Sequence, residues 1–153
     1  MISLVSYQDK YWEDFKRLNL EWLEKYDLTE QYDLDILNDP QGSIIDKGGC
    51  IFIALDDDRV VGTAGLSKAD DSEYELVKMA VDPACRGKGI GKMLLERCIE
   101  AAKELKAEKL SLFSNSKLQA ALKLYQQFGF THVEVKGTPL LTADVKMELS
   151  LNK

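Results

Sequence analysis

The residues best suited to chemistry form one short glycine-rich stretch, residues 82–92. Its sequence is Asp-Pro-Ala-Cys-Arg-Gly-Lys-Gly-Ile-Gly-Lys, in which Gly87, Gly89 and Gly91 alternate with other residues. Because glycine has no Cβ, such a backbone can bring several amide N–H groups against an anion. A helix predicted to begin here adds its unpaired N-terminal amides and the positive end of its dipole. The stretch therefore predicts a phosphate-binding loop.

Three basic side chains, Arg86, Lys88 and Lys92, add formal charge around this loop, and a guanidinium fork suits phosphate oxygens. The spacing excludes two common phosphate loops. A Walker A loop has glycine where this chain has Arg86, and a hydroxyl residue where it has Met93. A dinucleotide-binding loop has a third glycine where this chain has Leu94. The remaining pattern is Arg-x-x-Gly-x-Gly.

This pattern resembles the coenzyme A loop of the GNAT (GCN5-related N-acetyltransferase) superfamily. Residues 124–130, Leu-Tyr-Gln-Gln-Phe-Gly-Phe, resemble the family's Leu-Tyr-x-x-x-Gly-Phe signature, and residues 53–64 resemble its second and third strands. The resemblance extends along essentially the whole chain. It implies an α/β (α+β) fold with a mixed, mostly antiparallel central sheet of about seven strands, flanked by about four helices.

Hydrophobic periodicity independently predicts alternating elements. Strands are expected at 2–7, 50–55, 60–67, 73–81, 109–113, 131–135 and 143–149, and helices at 8–26, 28–37, from 91 onward and at 116–128. The order is β-α-α-β-β-β-α-β-α-β-β, which matches the GNAT order. Simple alternation along residues 73–81 would place Glu75, Val77, Met79 and Val81 on one side of the sheet unless a bulge intervenes.

Length and composition favour one domain, residues 1–153, of a cytoplasmic protein. The chain is 45% hydrophobic and 30% charged, and it contains no apolar run long enough for a membrane span. Three cysteines without a secretory signal suit reduced thiols. The single His132 has no Cys or His at ligand spacing, so no metal site is predicted. The net charge of −6 argues against nucleic-acid binding.

Charge is distributed unevenly along the chain. Residues 21–39 contain seven acids and one base, whereas residues 86–109 contain seven bases and four acids. This distribution suits a basic site for an anionic cofactor and an acidic approach for a cationic substrate. A solvated helix face would produce the same pattern in each segment.

The resemblance implies an acetyl-coenzyme A (acetyl-CoA) dependent N-acetyltransferase acting on a primary amine of a small molecule or peptide, by direct transfer in a ternary complex. In this family, main-chain amides of the fourth strand polarise the acetyl carbonyl and pair with the pantetheine arm. The matching cofactor-binding residues are Met79, Ala80, Val81, Arg86, Gly87, Lys88, Gly89, Ile90, Gly91, Lys92, Asn115 and Tyr125.

Acetyl transfer needs a base, because most biological amines are protonated at neutral pH. Glu75 stands four residues before Met79, an offset at which several family members place a catalytic glutamate. A carboxylate among apolar neighbours is desolvated and its pKa rises, which suits it to this role. The alternatives are a structural or solvent-facing Glu75, the neighbouring Glu73 as base, or an ordered water.

Transfer also needs an acid for the departing thiolate. The family counterpart of Tyr125 stands beside the cofactor sulfur, which makes Tyr125 the candidate; as part of an apolar helical stripe, it would also suit the core. The counterpart of Asn115 often binds the pantetheine arm, although helix capping would explain Asn115 equally well.

Four residues are candidates for the acceptor pocket: Trp22, Tyr26, Tyr32 and Asp144. The first three lie in the helical pair that overhangs the acceptor site in this fold, although aromatic residues at helical spacing commonly belong to the core. Relatives are often dimers, but one chain reveals no interface. A non-catalytic acyl-CoA binding module and a nucleotide-binding domain remain alternative functions.

Overall fold

The computed structural model describes residues 1–136 and 141–151. In this part the chain forms seven strands and four α-helices. The strands are β1 (Ile2–Ser6), β2 (Cys50–Asp56), β3 (Arg59–Lys68), β4 (Glu73–Val81), β5 (Lys109–Ser114), β6 (Thr131–Val133) and β7 (Val145–Ser150). The helices are α1 (Trp12–Lys25), α2 (Gln31–Asn38), α3 (Ile90–Glu104) and α4 (Gln119–Gln127). Their order confirms the predicted fold class.

Three helices begin later than the sequence predicts: α1 by four residues, after a 3-10 turn at Asp9–Tyr11, and α2 and α4 by three. The Asp33 side chain accepts a 3.0 Å hydrogen bond from the Glu30 amide, which closes the first turn of α2 and fixes its start at Gln31. Before α4, the Asn115 side chain accepts from the Lys117 amide and competes with helix formation. A single π-helical turn at Gln41–Ile45 was not predicted.

The seven strands form one sheet in the order β1-β2-β3-β4-β5-β7-β6. All neighbouring strands are antiparallel except β4 and β5. Those two strands pair only over Glu73–Glu75 and Lys109–Ser111, and the remaining residues of β4 have no partner on β5. The sheet therefore opens into a fork between β4 and β5, with the glycine-rich loop following the free end of β4.

Helices cover both faces of this sheet. One face packs against α1 and α2, with Phe15 and Leu37 fully buried. The other packs against α3 and α4, where Leu94, Leu95 and Cys98 have no exposed surface. Burying one such leucine stabilises the fold by about 1.5–3 kcal/mol, so the apolar stripe of α3 firmly anchors the helix that follows the loop.

A β-bulge at Lys78 overturns simple alternation along β4. Lys78 has a left-handed backbone, with φ of +52°, and the register against β3 shifts between Thr63 and Gly65. As a result, Val77 packs with the α1 and α2 core whereas Met79 packs with the α3 and α4 core. The bulge thus shifts the alternation by one residue, so that Met79 and Val81 face the side of the sheet opposite to Val77.

Every helix within residues 1–136 and 141–151 is too short or too polar to cross a lipid bilayer.

Candidate active site

The glycine-rich loop has the geometry of an anion-binding turn. Gly87 and Gly89 have φ of +80° and +76°, and a Cβ built on either would meet no atom within 4 Å. Glycine is therefore required here for its backbone conformation, and open space faces the turn. The 15-residue helix α3 begins at Ile90 with Gly89 as its N-cap, so its first amides are available to an anion. These observations fit a diphosphate.

A groove of about 490 Å³ extends from this loop along β4 and α4. Ten of the predicted cofactor residues line it: Met79, Ala80, Val81, Arg86, Gly87, Gly89, Ile90, Gly91, Lys92 and Tyr125. Lys88 and Asn115 do not line it. The guanidinium of Arg86 lies 5.9 Å from the ring of Trp22, so the end of α1 borders the groove beside the loop.

The free edge of β4 forms one wall of this groove. Beyond Glu75 the strand has left β5, so the backbone groups that face the fork have no strand partner there. A free strand edge can pair with an extended chain. This is the geometry that main-chain pairing with a pantetheine arm requires.

A second, smaller cavity of about 130 Å³ lies under α1 and α2. Its lining is mostly apolar and includes Leu28, Ile36 and Val77, with Glu75 among the polar residues. We call the larger space the cofactor groove and the smaller one the acceptor cavity, after the roles that the sequence analysis predicts for their residues. Four residues line both spaces: Trp22, Met79, Leu118 and Tyr125. The two spaces therefore meet beside the β4 bulge.

The Glu75 carboxyl lies in the acceptor cavity in a desolvating environment. Burial raises the pKa of Glu75 to about 7, while the charge of Lys78 opposes the rise, Glu73 adds to it and Lys146 opposes it. Near neutral pH the carboxyl is thus divided between its ionised and protonated forms. A group in this state can accept and release a proton readily.

The carboxylate of Glu73, the alternative base, interacts with two side chains of β5. The Ser111 hydroxyl donates a 2.9 Å hydrogen bond to Glu73 Oε2, and the Lys109 ammonium lies 3.3 Å from Glu73 Oε1. Both partners belong to β5, so these contacts hold the closed end of the fork. Glu73 is also absent from the residues that line either cavity.

Tyr125 lies where the two spaces meet. Its side chain is buried, and burial followed by the nearby Cys98 raises the pKa of Tyr125 to about 12. The phenol therefore keeps its proton at neutral pH and can donate a hydrogen bond. Its ring also lies 5.8 Å from that of Phe130, so Tyr125 belongs to the core as well as to the cavity wall.

The acceptor cavity contains a buried ion pair that the sequence analysis did not identify. The Lys78 ammonium contacts the Asp33 carboxylate, and both residues line the cavity with Glu75. Their side chains are 9% and 3% exposed, so little water screens them. A lysine within an apolar strand gave no distinctive signal, because its acidic partner lies 45 residues away.

The segment before β7 closes one side of the acceptor cavity. The Glu30 carboxylate accepts hydrogen bonds of 2.8 Å from the amides of Leu141 and Thr142, and one of 2.5 Å from the Thr142 hydroxyl. Although partial burial opposes the shift, these bonds lower the pKa of Glu30. Asn115 donates a 2.6 Å hydrogen bond to the Thr142 carbonyl. Asn115 also lines the acceptor cavity, and its hydrogen bond connects the residues that precede α4 to the segment before β7.

The four predicted acceptor residues have different positions. Trp22 lines both spaces, Tyr32 lines the acceptor cavity and Tyr26 lines the cofactor groove. Asp144 lines neither: its exposed carboxylate accepts hydrogen bonds of 2.8 Å from the amide and the hydroxyl of Ser116. Asp144 thus fastens the chain beside α4.

Of the seven acids in segment 21–39, only Asp33 lines the cavity, and Asp33 is paired with Lys78. Asp35 binds Gln31, and Asp39 accepts from the Gly42 amide. The negative charge of this segment therefore lies outside the cavity wall, apart from Asp33. Among the described residues, no group of three or more His, Cys, Asp or Glu side chains is arranged to hold a metal ion.

Comparisons with known proteins agree with this architecture. Residues 6–130 match the acetyltransferase (GNAT) family. The chain is 33% identical over 121 residues to the uncharacterized N-acetyltransferase YvbK of Bacillus subtilis, covering 76% of this chain and 77% of that protein. It is also 38% identical over 87 residues to N-acetylaspartate synthetase of Rattus norvegicus, covering 56% of this chain but only 29% of that protein.

Solved structures share the fold along the whole chain. An acetyltransferase of the GNAT family from Staphylococcus aureus Mu50 superposes with a TM-score of 0.90 at 24% identity, covering 99% of this chain and all of the other. The PaiA N-acetyltransferase of Thermoplasma acidophilum, solved with coenzyme A, has a TM-score of 0.78 at 18% identity and covers 98% of this chain and 99% of the other. YncA of Salmonella typhimurium, solved with its cofactor acetyl-CoA, has a TM-score of 0.78 at 21% identity and covers 100% of this chain and 95% of the other.

The predicted cofactor, acetyl-CoA, is the acyl donor that this family uses. The match over residues 6–130 and the shared fold lead to one conclusion: the chain belongs to the GNAT family of acetyltransferases.

Proposed function

We propose that this protein transfers the acetyl group of acetyl-CoA to a primary amine of a small molecule or peptide, by direct transfer in a ternary complex. The observation that carries the proposal is the meeting of the cofactor groove and the acceptor cavity at Met79 and Tyr125. An acetyl donor in one space and an amine in the other would share this junction, which removes the need for a covalent enzyme intermediate.

The cofactor groove would hold acetyl-CoA through three kinds of group. Amides of the loop and of the first turn of α3 would bind the diphosphate, the charges of Arg86 and Lys92 would attract it, and the free edge of β4 would pair with the pantetheine arm. When bound there, acetyl-CoA supplies the thioester from which the acetyl group is transferred.

The three cysteines are all free, which supports a cytoplasmic enzyme.

The proposed chemistry assigns one proton to each of two side chains. Glu75, directly or through water, takes a proton from the substrate ammonium and so creates the neutral amine that attacks. The bond from nitrogen to the acetyl carbon forms as the carbon–sulfur bond breaks. Tyr125 gives its proton to the departing sulfur, the new amide nitrogen loses its second proton through water to the phenolate, and Glu75 releases its proton to solvent, so that one proton leaves per turnover. Main-chain amides of β4 polarise the acetyl carbonyl.

The acceptor cavity limits the size of the reacting part of the substrate. Its volume is about 130 Å³, and an engineered cavity of about 150 Å³ accommodates a benzene molecule. A primary amine on a small apolar group fits this space. Tyr32 lines the cavity and is 42% exposed, so a longer acceptor would leave the cavity past this side chain. N-acetylaspartate synthetase, a relative over 87 residues, makes amino acids sensible members of an acceptor panel.

The test is thiol release from acetyl-CoA with a panel of small amines, amino acids and peptide N-termini. We expect Glu75→Gln to reduce turnover by about 10²–10⁴-fold and Tyr125→Phe to reduce it as well, with coenzyme A affinity unchanged in calorimetry. Glu73→Gln is the matched control, because it removes a carboxylate from the same strand but outside both cavities.

The outcomes separate the proposed roles from the proposed function. Unchanged turnover in both Glu75→Gln and Tyr125→Phe would remove the assigned roles. Tight coenzyme A binding without turnover on any amine would instead favour an acyl-CoA binding module. Strong competition by ATP or NAD for the groove would favour the nucleotide-binding alternative.

A further inference from the structure

Lys78 combines a strained backbone with a buried charge on the wall of the acceptor cavity. Its φ of +52° lies in the left-handed region, which residues with a Cβ avoid and keep only where their surroundings impose it. Lysine has no special preference for this region, unlike glycine or asparagine. The surroundings of Lys78 must therefore hold both its backbone and its side chain.

Buried hydrogen bonds fix the backbone of the bulge. The Thr63 hydroxyl donates a 2.8 Å hydrogen bond to the Lys78 carbonyl. The side-chain amide of Asn19 donates one hydrogen bond of 3.0 Å to the Thr63 hydroxyl and one of 2.9 Å to the Phe15 carbonyl. Thr63 has no exposed surface and Asn19 is 2% exposed. This chain of bonds connects α1 to the bulge through β3.

A second set of contacts fixes the side chain. The Lys78 ammonium is paired with Asp33 Oδ1, and Asp33 Oδ2 accepts a 3.0 Å hydrogen bond from the Glu30 amide. Among the described residues, four polar side chains are buried: Asn19, Asp33, Thr63 and Ser111. Asn19 and Thr63 hold the backbone of Lys78 and Asp33 binds its ammonium, whereas Ser111 binds Glu73. Such a concentration of buried polar groups at one residue indicates a role beyond strand formation.

The Glu75 carboxyl shares its cavity with this fixed ammonium. The charged or titratable groups that act on Glu75 are Lys78 and Glu73 on β4, Lys146 on β7, and Tyr32 on α2, where Asp33 also lies. Of the two cations, Lys78 has the larger influence and the less exposed side chain, 9% against 18% for Lys146. Lys146 is further engaged with Glu148, 3.8 Å away.

We propose that Lys78 is a positioning residue for Glu75: its ammonium, anchored by Asp33 on the wall of the cavity that Glu75 also lines, supplies the positive charge that stabilises the Glu75 carboxylate. The inference rests on the proposed function, because Glu75 is the proposed base. Without a nearby cation, a carboxyl in an apolar cavity stays protonated at neutral pH and cannot accept a proton from an amine. Lys78 therefore offsets part of the desolvation that makes Glu75 basic.

The deciding experiment measures Glu75 itself, without substrate. The full chain carries ¹³C-labelled glutamate, the Glu75 carboxyl signal is assigned by its loss in Glu75→Gln, and its titration midpoint is followed by NMR. In Lys78→Met we expect the midpoint to rise by on the order of one pH unit. In Lys146→Met, the matched control, we expect a smaller rise.

Further variants separate the charge of Lys78 from its backbone and from folding. Lys78→Gly accepts the left-handed backbone but removes the ammonium, so its midpoint should rise as in Lys78→Met. Lys78→Arg keeps a cation and should restore the midpoint toward the wild-type value. The double variant Lys78→Met/Asp33→Asn leaves no unpaired buried charge; it should fold and still show a rise.

The results can overturn the inference without reference to catalysis. The inference is wrong if the titration midpoint of Glu75 stays at its wild-type value in both Lys78→Gly and the double variant. It is also wrong if the midpoint rises as far in Lys78→Arg as it does in Lys78→Met. If the wild-type protein transfers acetyl groups, the acidic limb of its pH–rate profile should move with the NMR midpoint. If it transfers none, the proposed function fails while the NMR result still decides the role of Lys78.

Discussion

The cofactor groove and the acceptor cavity are built in different ways. The groove is made largely of backbone: a glycine turn, the first turn of α3 and the free edge of β4, all within residues 75–92 and completed by α4. The cavity is made of side chains from distant parts of the chain, such as Asp33 with Lys78 and Glu30 with Thr142. A backbone site suits a donor shared by a whole family, whereas a side-chain site can change its acceptor by substitution.

The largest expected effect comes from breaking the buried ion pair of the acceptor cavity. Asp33→Asn leaves the Lys78 ammonium without its counter-charge, and we expect the free energy of unfolding to fall by about 3–5 kcal/mol. Urea denaturation measures the change. Asp35→Asn, an exposed substitution on the same helix, should stay within about 0.5 kcal/mol of wild type. A small loss in Asp33→Asn would mean that side-chain contacts do not hold this cavity together.

The next effect concerns the desolvated base. The folded pKa of Glu75, about 7, lies above its ordinary value of 4.5, so the folded protein binds this proton more tightly than the unfolded chain does. This contribution to stability is fully present below pH 4.5 and is lost as the pH rises through about 7. Glu75→Gln should therefore gain stability relative to wild type by up to about 3 kcal/mol between pH 4 and pH 8.

Denaturant titrations of both proteins across this pH range provide the measurement. Below pH 4.5 the pH dependence of the difference should disappear, which serves as an internal control. A difference that is constant from pH 4 to pH 8 would show that Glu75 is well solvated, and the contrast between a desolvated cavity and an open groove would then be lost.

A smaller effect is expected in the glycine turn. Gly89→Ala places a Cβ on a left-handed residue and should cost about 1 kcal/mol of stability, with weaker coenzyme A binding because the turn amides lose their alignment. Gly91→Ala is the control: its Cβ would lie at ordinary contact distance, 3.5 Å from Met79 Cε, within helix α3. Alanine there should leave stability unchanged or raise it slightly. Equal losses in both variants would mean that the turn is not specified by backbone conformation.

The smallest effect is expected at Asp144. Because its carboxylate binds Ser116 and lines neither space, Asp144→Ala should leave the KM for any acceptor amine unchanged. Tyr32→Ala, which removes part of the cavity wall, should raise that KM. The acetyl-transfer assay measures both, and a raised KM in Asp144→Ala would extend the acceptor site beyond the cavity described above.

The same contrast explains what could be predicted from the sequence. The loop, β4 and Tyr125 lie in motifs that are local in sequence, so the resemblance of these motifs to the GNAT family was enough to name ten residues that line the groove. The bulge at Lys78 could not be predicted, because a left-handed lysine follows from Thr63 and Asn19, which are brought to it by folding. Alternation therefore placed Met79 on the wrong face.

The acceptor cavity was predicted only in part for the same reason. Trp22 and Tyr32 were found because aromatic residues on the overhanging helices stand out in the sequence. Asp33 was indistinguishable from the other acids of its segment, and only its contact with Lys78 separates it from them. Glu30 gave no signal either, since it binds a segment 112 residues away.

The fork between β4 and β5 has a thermodynamic consequence. In the part of the chain that the structure describes, β4 and β5 pair over only three residues each, so the ladder of the sheet is nearly interrupted at its middle. A ligand that lies along the free edge of β4 and against α4 would bridge the two sides of this interruption. Occupancy would then act as a missing structural element, and the melting temperature of the protein would follow the concentration of its acyl donor through mass action.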